Sequence, residues 1–327
     1  MGFRMRKSIK LMPGVRMTFS KSGIGYSAGV KGYRVTKRAD GRVQRTVSAP
    51  GTGLSHVSSV GGRRPSRSLP PSPKPKAIKP SMFAPKGEKE LYQAVQAQDI
   101  AAMERVMETH PSHSLPAAAI AGLMLLSRGD NVRCRQLFES VFQSGQDPAA
   151  DPFIAKYVSV HFTLDVVPGA SAELGLDRSA VGLALAELRQ GDGDISGAID
   201  VVEQLEPTTY AALSLAELYC ASDRFDEVVE LTNGISNDDD STALLCVFRG
   251  IAFREQTHFE AARESFKEAL KSKRREAAVR HRALLERARC YEAEGKRGMA
   301  KKDLERILAE DAHYEGLRDA IEELSQS

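Results

Sequence analysis

Only four of the 327 residues are cysteine, and they stand far apart at Cys134, Cys220, Cys246 and Cys290. With no Cys-x-x-Cys pair and no local His partner, neither a zinc-ligand spacing nor a disulfide framework is present. The pattern points to reduced thiols in a reducing compartment. Long apolar runs are also lacking: none approaches the roughly 20 residues needed to span a bilayer. The opening MGFRMRKSIKLMPGV is charged but has no apolar core of about 7–15 residues, which excludes a secretory leader. Arg6 stands where a myristoylation signal at Gly2 needs Ser or Thr. These absences predict a cytoplasmic location. Acid is the third scarcity, and it is local. Residues 1–86 hold 19 Lys and Arg against Asp40 alone, a balance of +18, and the remainder carries −15, giving +3 overall. Such asymmetry suggests a basic module that meets a polyanion, or one that folds back on the acidic half.

Catalytic constellations are missing too. No nucleophile–base set and no Walker loop occurs, and no cofactor is implied. Gly23-x-Gly25-x-x-Ala28 has the spacing of a dinucleotide fingerprint but lies in a strand pattern with no following helix. His110 and His113 form the one close histidine pair, at a helix end, with no carboxylate or Cys spaced to complete a metal site. The run Asp238–Asp240 lacks the Gly and terminal Glu of a calcium loop and reads as a helix N-terminal charge cluster. The chain is therefore expected to be non-enzymatic.

Residues 1–57 show period-2 alternation punctuated by turns, which predicts a small antiparallel β module with one apolar and one basic face. Val15, Met17 and Phe19 alternate with Arg16, Thr18 and Ser20, and Ile24, Tyr26, Ala28 and Val30 form a second apolar row. Further strands are predicted at 33–37 and 42–49, joined through Asp40–Gly41. The opening Phe-Arg-x-Arg-Lys-Ser, the Pro13-Gly-Val-Arg turn, Ser20-Lys-Ser-Gly and Pro50-Gly-Thr-Gly-Leu-Ser resemble a bacterial module, domain of unknown function 4236. Met12 departs from that pattern, which has Gly before the Pro-Gly. The resemblance implies a β-rich module and a bacterial source but no activity. The candidates for holding a nucleic acid or other polyanion are Arg4, Arg6, Lys7, Lys10, Arg16, Lys21, Lys31 and Arg34. A solvated basic face, or contact with an acidic protein surface, is the alternative. Phe19 and Tyr26 lie on the apolar rows, which favours a core role over base stacking.

Residues 58–86 are rich in Pro, Ser and Lys, a composition that predicts an extended, disordered linker. Within it, Arg67-Ser-Leu-Pro70-Pro-Ser-Pro73 fits an Arg-x-x-Pro-x-x-Pro ligand pattern that is common by chance in such segments.

Residues 87–327 read as mainly α, a series of amphipathic helical hairpins. The clearest unit covers 241–270, with Gly250, Phe253, Phe259, Ala262, Phe266 and Ala269 at interlocking positions. Preceding pairs are predicted at 88–96 with 99–109, 116–127 with 131–142, and 179–190 with 195–205. Asp130 is expected to cap a helix. Residues 147–175 are less regular, with 153–166 predicted as a helix broken by Pro168–Gly169. The chain ends in a cap helix over 314–324. Small and aromatic residues at this spacing resemble the tetratricopeptide repeat, a helix–turn–helix unit of about 34 residues, which implies an α-α superhelix. In that architecture the first helices line a concave groove that binds a protein or peptide. The positions facing it are Tyr210, Leu213, Glu217, Leu244, Val247, Ile251, Arg254, Arg282, Leu285 and Arg289. An apolar strip with a basic end suits a peptide that has apolar anchors and an acidic group. The Lys/Asn clamp by which some family members grip a carboxylate is not supplied by Leu213, Glu217, Val247 and Ile251. The chain thus reads as a scaffold, with a nucleic-acid-associated protein as the alternative.

Overall fold

A computed structural model describes residues 79–158, 160 and 162–326, together with the backbone of six strands in the N-terminal part. These strands are β1 (Lys7–Met12), β2 (Val15–Ser20), β3 (Gly23–Val30), β4 (Tyr33–Lys37), β5 (Val43–Ser48) and β6 (Ser55–Val60), hydrogen-bonded in chain order as an antiparallel meander. β1 and β6 were not anticipated from the alternation, and β6 runs into the segment read as linker. The rest of that linker up to residue 78, including Arg67–Pro73, lies outside the described residues. The register turns sequence alternation into two sets of rows, because directly opposed residues share a face. Ile9, Met17, Tyr26, Lys37, Val43 and Val60 oppose one another in succession, and so do Lys10, Arg16, Ser27, Thr36, Gln44 and Ser59.

The helices are α1 (Lys86–Ala97), α2 (Ile100–Thr109), α3 (Ser114–Arg128), α4 (Asn131–Gln143), α5 (Pro152–Tyr157), α6 (Arg178–Gly191), α7 (Ile195–Val202), α8 (Thr209–Ala221), α9 (Phe225–Leu231), α10 (Asp240–Glu255), α11 (Phe259–Ala269), α12 (Ala277–Ala293), α13 (Arg297–Glu310) and α14 (Leu317–Gln326). None is long and apolar enough to cross a membrane. The chain divides into two compact units, residues 1–164 with 173–188, and residues 165–172 with 189–327.

Six turns between paired helices share one geometry. A single residue takes left-handed backbone at Gln98 (φ 54°), Gly129 (80°), Gly193 (83°), Asp223 (57°), Thr257 (63°) and Gly295 (73°). The next amide then donates five residues back, to the carbonyls of Ala94, Leu125, Arg189, Tyr219, Phe253 and Tyr291. This Schellman closure satisfies carbonyls that the helix end leaves free. Asp99, Asp130 and Asp194 then accept an amide hydrogen bond at the start of the following helix.

Packing within the units follows the small-residue spacing. In the first unit a Cβ on Gly122 would lie 2.5 Å from Phe138 Cε1, and in the second a Cβ on Gly250 would lie 2.5 Å from Phe266 Cε1. In both, the missing side chain is what admits the aromatic ring of the second helix. In the second unit α8 packs on α10, α10 on α12, and α11 against α12, so successive hairpins stack. A hairpin alone cannot bury its apolar stripe, and stacking does so.

The stretch 147–175 departs from expectation. Instead of a helix over 153–166, α5 ends at Tyr157 and is followed by a β-hairpin of β7 (Phe162–Val167) and β8 (Ala170–Leu174). Phe162, Leu164 and Val166 are buried while Thr163 is half-exposed, a period of two in a segment rich in β-branched residues. Pro168 and Gly169 join the strands, and Gly169 takes φ 98°, the left-handed position of a Pro-Gly turn.

Candidate functional site

The first helices of three successive hairpins in the second unit, α8, α10 and α12, carry the positions predicted to face a groove. Their five apolar members are not open: Leu213 is 0% exposed, Leu244 2%, Val247 1%, Ile251 8% and Leu285 4%. Two covers are identifiable. A Cβ on Gly169, in the β7–β8 turn, would meet Leu244 Cδ1 at 3.8 Å, Val279 Cγ2 at 3.7 Å and Ala278 Cβ at 3.9 Å. Leu285 lies in a buried cluster with Leu284, Leu304, Ile307 and Leu317, and a Cβ on Gly316 would be 3.5 Å from its Cδ2. The C-terminal helix therefore packs onto an apolar groove position.

The polar members, Tyr210, Glu217, Arg254, Arg282 and Arg289, are half-buried, and the last three converge on Glu286. Arg254 Nη1 donates to Glu286 Oε2 at 2.8 Å, and Arg289 Nη1 donates to Oε1 at 3.0 Å. Arg282 Nε lies 3.2 Å from the same Oε1, an ion pair whose aim falls short of hydrogen-bond geometry. Its terminal nitrogens meet no hydrogen-bond acceptor among the described residues. Arg254 also donates to Glu255 at 2.7 Å and 3.0 Å. Sequence reasoning missed Glu286, whose side chain is 3% exposed. Its spacing, four after Arg282 and three before Arg289, puts all three on one helical face, but the same spacing describes any exposed ion-pair ladder. Only the arrival of Arg254 from α10 marks it as buried.

Burial pushes the Glu286 carboxyl upward, but the guanidiniums of Arg282, Arg254 and Arg289 outweigh it and hold the group below the usual carboxylate range. Glu217, on α8, goes the other way. Burial raises it, against the attraction of Arg282 and a hydrogen bond from Gln190. Cys220 is pushed up to about 12 by burial first, with Glu286 and Glu217 adding and the arginines opposing. Burial also raises Tyr314, which feels Arg282, Glu286 and Arg289. Three guanidiniums thus face the firmly ionised Glu286, with the exposed Glu255 also pairing Arg254, while Glu217 is biased toward its neutral form. The local excess of positive charge is set in a partly water-excluded place, where a fixed charge acts more strongly than on an open surface.

Other candidates are placed as follows. Asp239 is the N-cap of α10, accepting from Thr242 N at 2.8 Å while its own amide donates to Thr242 Oγ1 at 2.9 Å. Asp240 accepts from Glu276 N at 2.9 Å. His110 Nε2 is 3.0 Å from Glu90 Oε2, and His113 is tilted against Phe153 at 6.4 Å between ring centres. Among the described residues no group of three His, Cys, Asp or Glu could hold a metal ion. In the sheet, Lys10 directly opposes Arg16, and the alternation sets Arg34 on the same face, while Lys7, opposite Phe19, falls on the other. Arg4, Arg6, Lys21 and Lys31 lie outside the described residues.

Comparison with known proteins bears on both parts of the chain. Residues 3–57 match a family described as a protein of unknown function, DUF4236. No curated protein matches the sequence. Among solved structures, the chain is similar to the N-terminal domain of the EccA1 ATPase from the ESX-1 secretion system of Mycobacterium tuberculosis. That match is at 14% identity, over 72% of this chain and 88% of the other, with a TM-score of 0.50. A tetratricopeptide repeat protein from Parabacteroides merdae matches at 12% identity over 65% and 72%, with a TM-score of 0.46. The TPR protein TTC0263 of Thermus thermophilus matches at 16% over 64% and 98%, with a TM-score of 0.42. At such identities the likeness is one of fold, an array of successive helical hairpins.

Proposed function

We propose that this protein is a non-enzymatic interaction scaffold in which Arg254, Arg282 and Arg289 receive an acidic side chain of a protein partner. The observation that supports this is the gathering of three guanidiniums around Glu286, with Arg282 held only by an ion pair through Nε and by the field of Glu217. A planar guanidinium matches a carboxylate in two-point geometry and stays charged at every physiological pH. Fluorescence anisotropy with the full chain tests the reading, using a labelled Asp/Glu-rich peptide and a Ser/Gly-rich one of equal length. The acidic peptide should bind at least tenfold more tightly, and Arg289→Glu should remove that preference. Equal binding of the two peptides by the full chain rejects it.

A second reading concerns the N-terminal sheet, for which the side-by-side register of Lys10 and Arg16 with Arg34 on the same face is the favouring observation. A nucleic acid laid across that face would release counterions in proportion to the phosphates neutralised. The double substitution Lys10→Glu, Arg16→Glu in the full chain should flatten the dependence of duplex affinity on salt by about two counterion units. A slope that does not change, or no binding at low salt, sinks this reading.

A further inference from the structure

The six strands β1–β6 form one layer, and their register gathers the apolar residues of the N-terminal part on one side of it. Val15, Met17 and Phe19 of β2 stand opposite Ala28, Tyr26 and Ile24 of β3. Tyr33 and Val35 of β4 continue the same face, opposite Val30 and Ala28. Charged and polar residues of that face lie toward its margins: Lys7 on β1, Lys37 at the end of β4, Arg45 on β5, and His56 and Ser58 on β6. The other face holds Lys10, Arg16 and Arg34, chiefly among Ser, Thr and Gly residues. An apolar centre within a polar rim is the anatomy of a protein interface rather than of a solvated sheet.

A sheet with one apolar face is stable only when a second layer covers it. Among the described residues the module supplies none itself, since its strands run from Lys7 to Val60 within one sheet. Residues 61–78 follow with Leu69 and Ile78 as their only large apolar residues apart from proline. Nor does the helical part leave a face to match. Among the described residues its large exposed apolar side chains are Met82, Phe83, Val132, Met299 and Leu308, spread over the segment before α1, α4 and α13. A second copy supplies a face of matching size, twist and chemistry. With strands of five to eight residues, the sheet measures about 20 Å along the strands and about 29 Å across them. Two such faces bury on the order of 1,200 Å² together, above the roughly 1,000 Å² that marks a specific interface.

We infer that this protein pairs with a second copy through its N-terminal sheet: the faces bearing Met17 and Tyr26 stack as an isologous β-sandwich. The two faces that bear Lys10, Arg16 and Arg34 are then turned away from each other, which separates the basic charge of the two copies across the sandwich. Lys7, Lys37 and Arg45 fall in the rim of that pairing, where water and salt screen like charges. The inference concerns the sheet alone and is independent of the arginine cluster around Glu286 and of any nucleic acid.

Light scattering and photo-cross-linking of the full chain test it. The native protein should have twice the chain mass in solution, and Met17→Glu should halve it. In separate variants, Tyr26 or its neighbour Ser27, on the opposite face, is replaced by photoreactive p-benzoylphenylalanine. Illumination should join two chains through position 26 and not through position 27. A native chain of single mass overturns the inference, and so does a Met17→Glu chain that stays at twice that mass. A position-26 probe that captures no second chain overturns it as well. If its cross-link maps instead to residues 86–326 of the same chain, the helical part is the cover and the pairing is rejected. Equal inter-chain products from the two positions also reject it, because the two faces would then be alike. If Met17→Glu unfolds the sheet, the near-isosteric replacement at Tyr26 decides alone.

Discussion

Single residues set the two properties that distinguish the second unit, its tight hairpin and its charged cluster. At Gly250 the physics is steric. Phe266 is wholly buried, and a Cβ would sit 2.5 Å from its Cε1 and 2.8 Å from Cδ1 and Cζ. Gly250→Ala gains about 1 kcal/mol of helix propensity but overpacks a ring that has nowhere to go, at a cost of roughly 1–3 kcal/mol. The net effect should be destabilising by urea denaturation, and Phe266→Leu in the same chain should recover part of it. Strict additivity of the two substitutions would show that the contact is not tight. The two carboxyls of the cluster predict opposite pH dependence. Glu217 is raised in the folded chain, so its contribution is most favourable at low pH and is lost as pH climbs through its folded pKa. Glu217→Gln should raise the denaturation midpoint at pH 7.5 and have little effect near pH 4. Glu286 is lowered, so its contribution is present above the ordinary carboxylate range and lost on acidification. Glu286→Gln should lower the midpoint most at pH 7.5. The same sign for both substitutions would refute the assignment of their environments.

At the scale of the element, one turn geometry is built from unlike residues. Gly129, Gly193 and Gly295 suit left-handed backbone, and Asp223 tolerates it, but Thr257 is β-branched at φ 63°. For an L-residue that conformation costs roughly 1–2 kcal/mol, and a branched Cβ is the worst case. Thr257→Asn should therefore stabilise the chain by roughly 0.5–1 kcal/mol, since Asn visits this region readily. A fall in melting temperature would mean that the threonine side chain makes a compensating contact. The N-terminal end of the same hairpin is secured by the reciprocal bonds of Asp239 and Thr242, so Asp239→Ala should cost about 1 kcal/mol. The three-aspartate run is thus a helix start, with Asp239 capping α10 and Asp240 reaching Glu276 N.

At the scale of the whole chain, the C-terminal helix does more than end the array. Leu317 and Ala320 are buried with Leu284, Leu285, Leu304 and Ile307, and burying one leucine is worth roughly 1.5–3 kcal/mol. Removing residues 314–327 should lower the melting temperature and expose an apolar face, which light scattering would detect as self-association. A monomer of unchanged stability would show that α14 is dispensable. Cover from the chain's own segments recurs here, from the β7–β8 turn at Leu244 and from the C-terminal segment at Leu285.

How far the sequence foretold this structure depends on the distance over which each rule acts. Hairpin positions, the Asp130 cap and the strands at 15–20, 24–30 and 33–37 were legible because caps, turns and alternation are decided within a few residues. That Gly250 and Phe266 stand at interlocking positions was legible from the repeat spacing, but that the ring of Phe266 fills the space beside Gly250 itself was not. The helix expected over 153–166 forms only as far as Tyr157, because a short apolar run satisfies either period, and the alternation beyond it shows only once Phe162, Leu164 and Val166 are seen to be covered. Which groove positions are open was beyond any local rule. Register names the face of a helix, but a segment far along the chain decides whether that face meets water. The sequence by itself determined the hairpins and their turns. Only the tertiary structure buried Glu286 among three arginines from two helices and set Gly169 on Leu244, since both depend on contacts between residues that no periodicity connects.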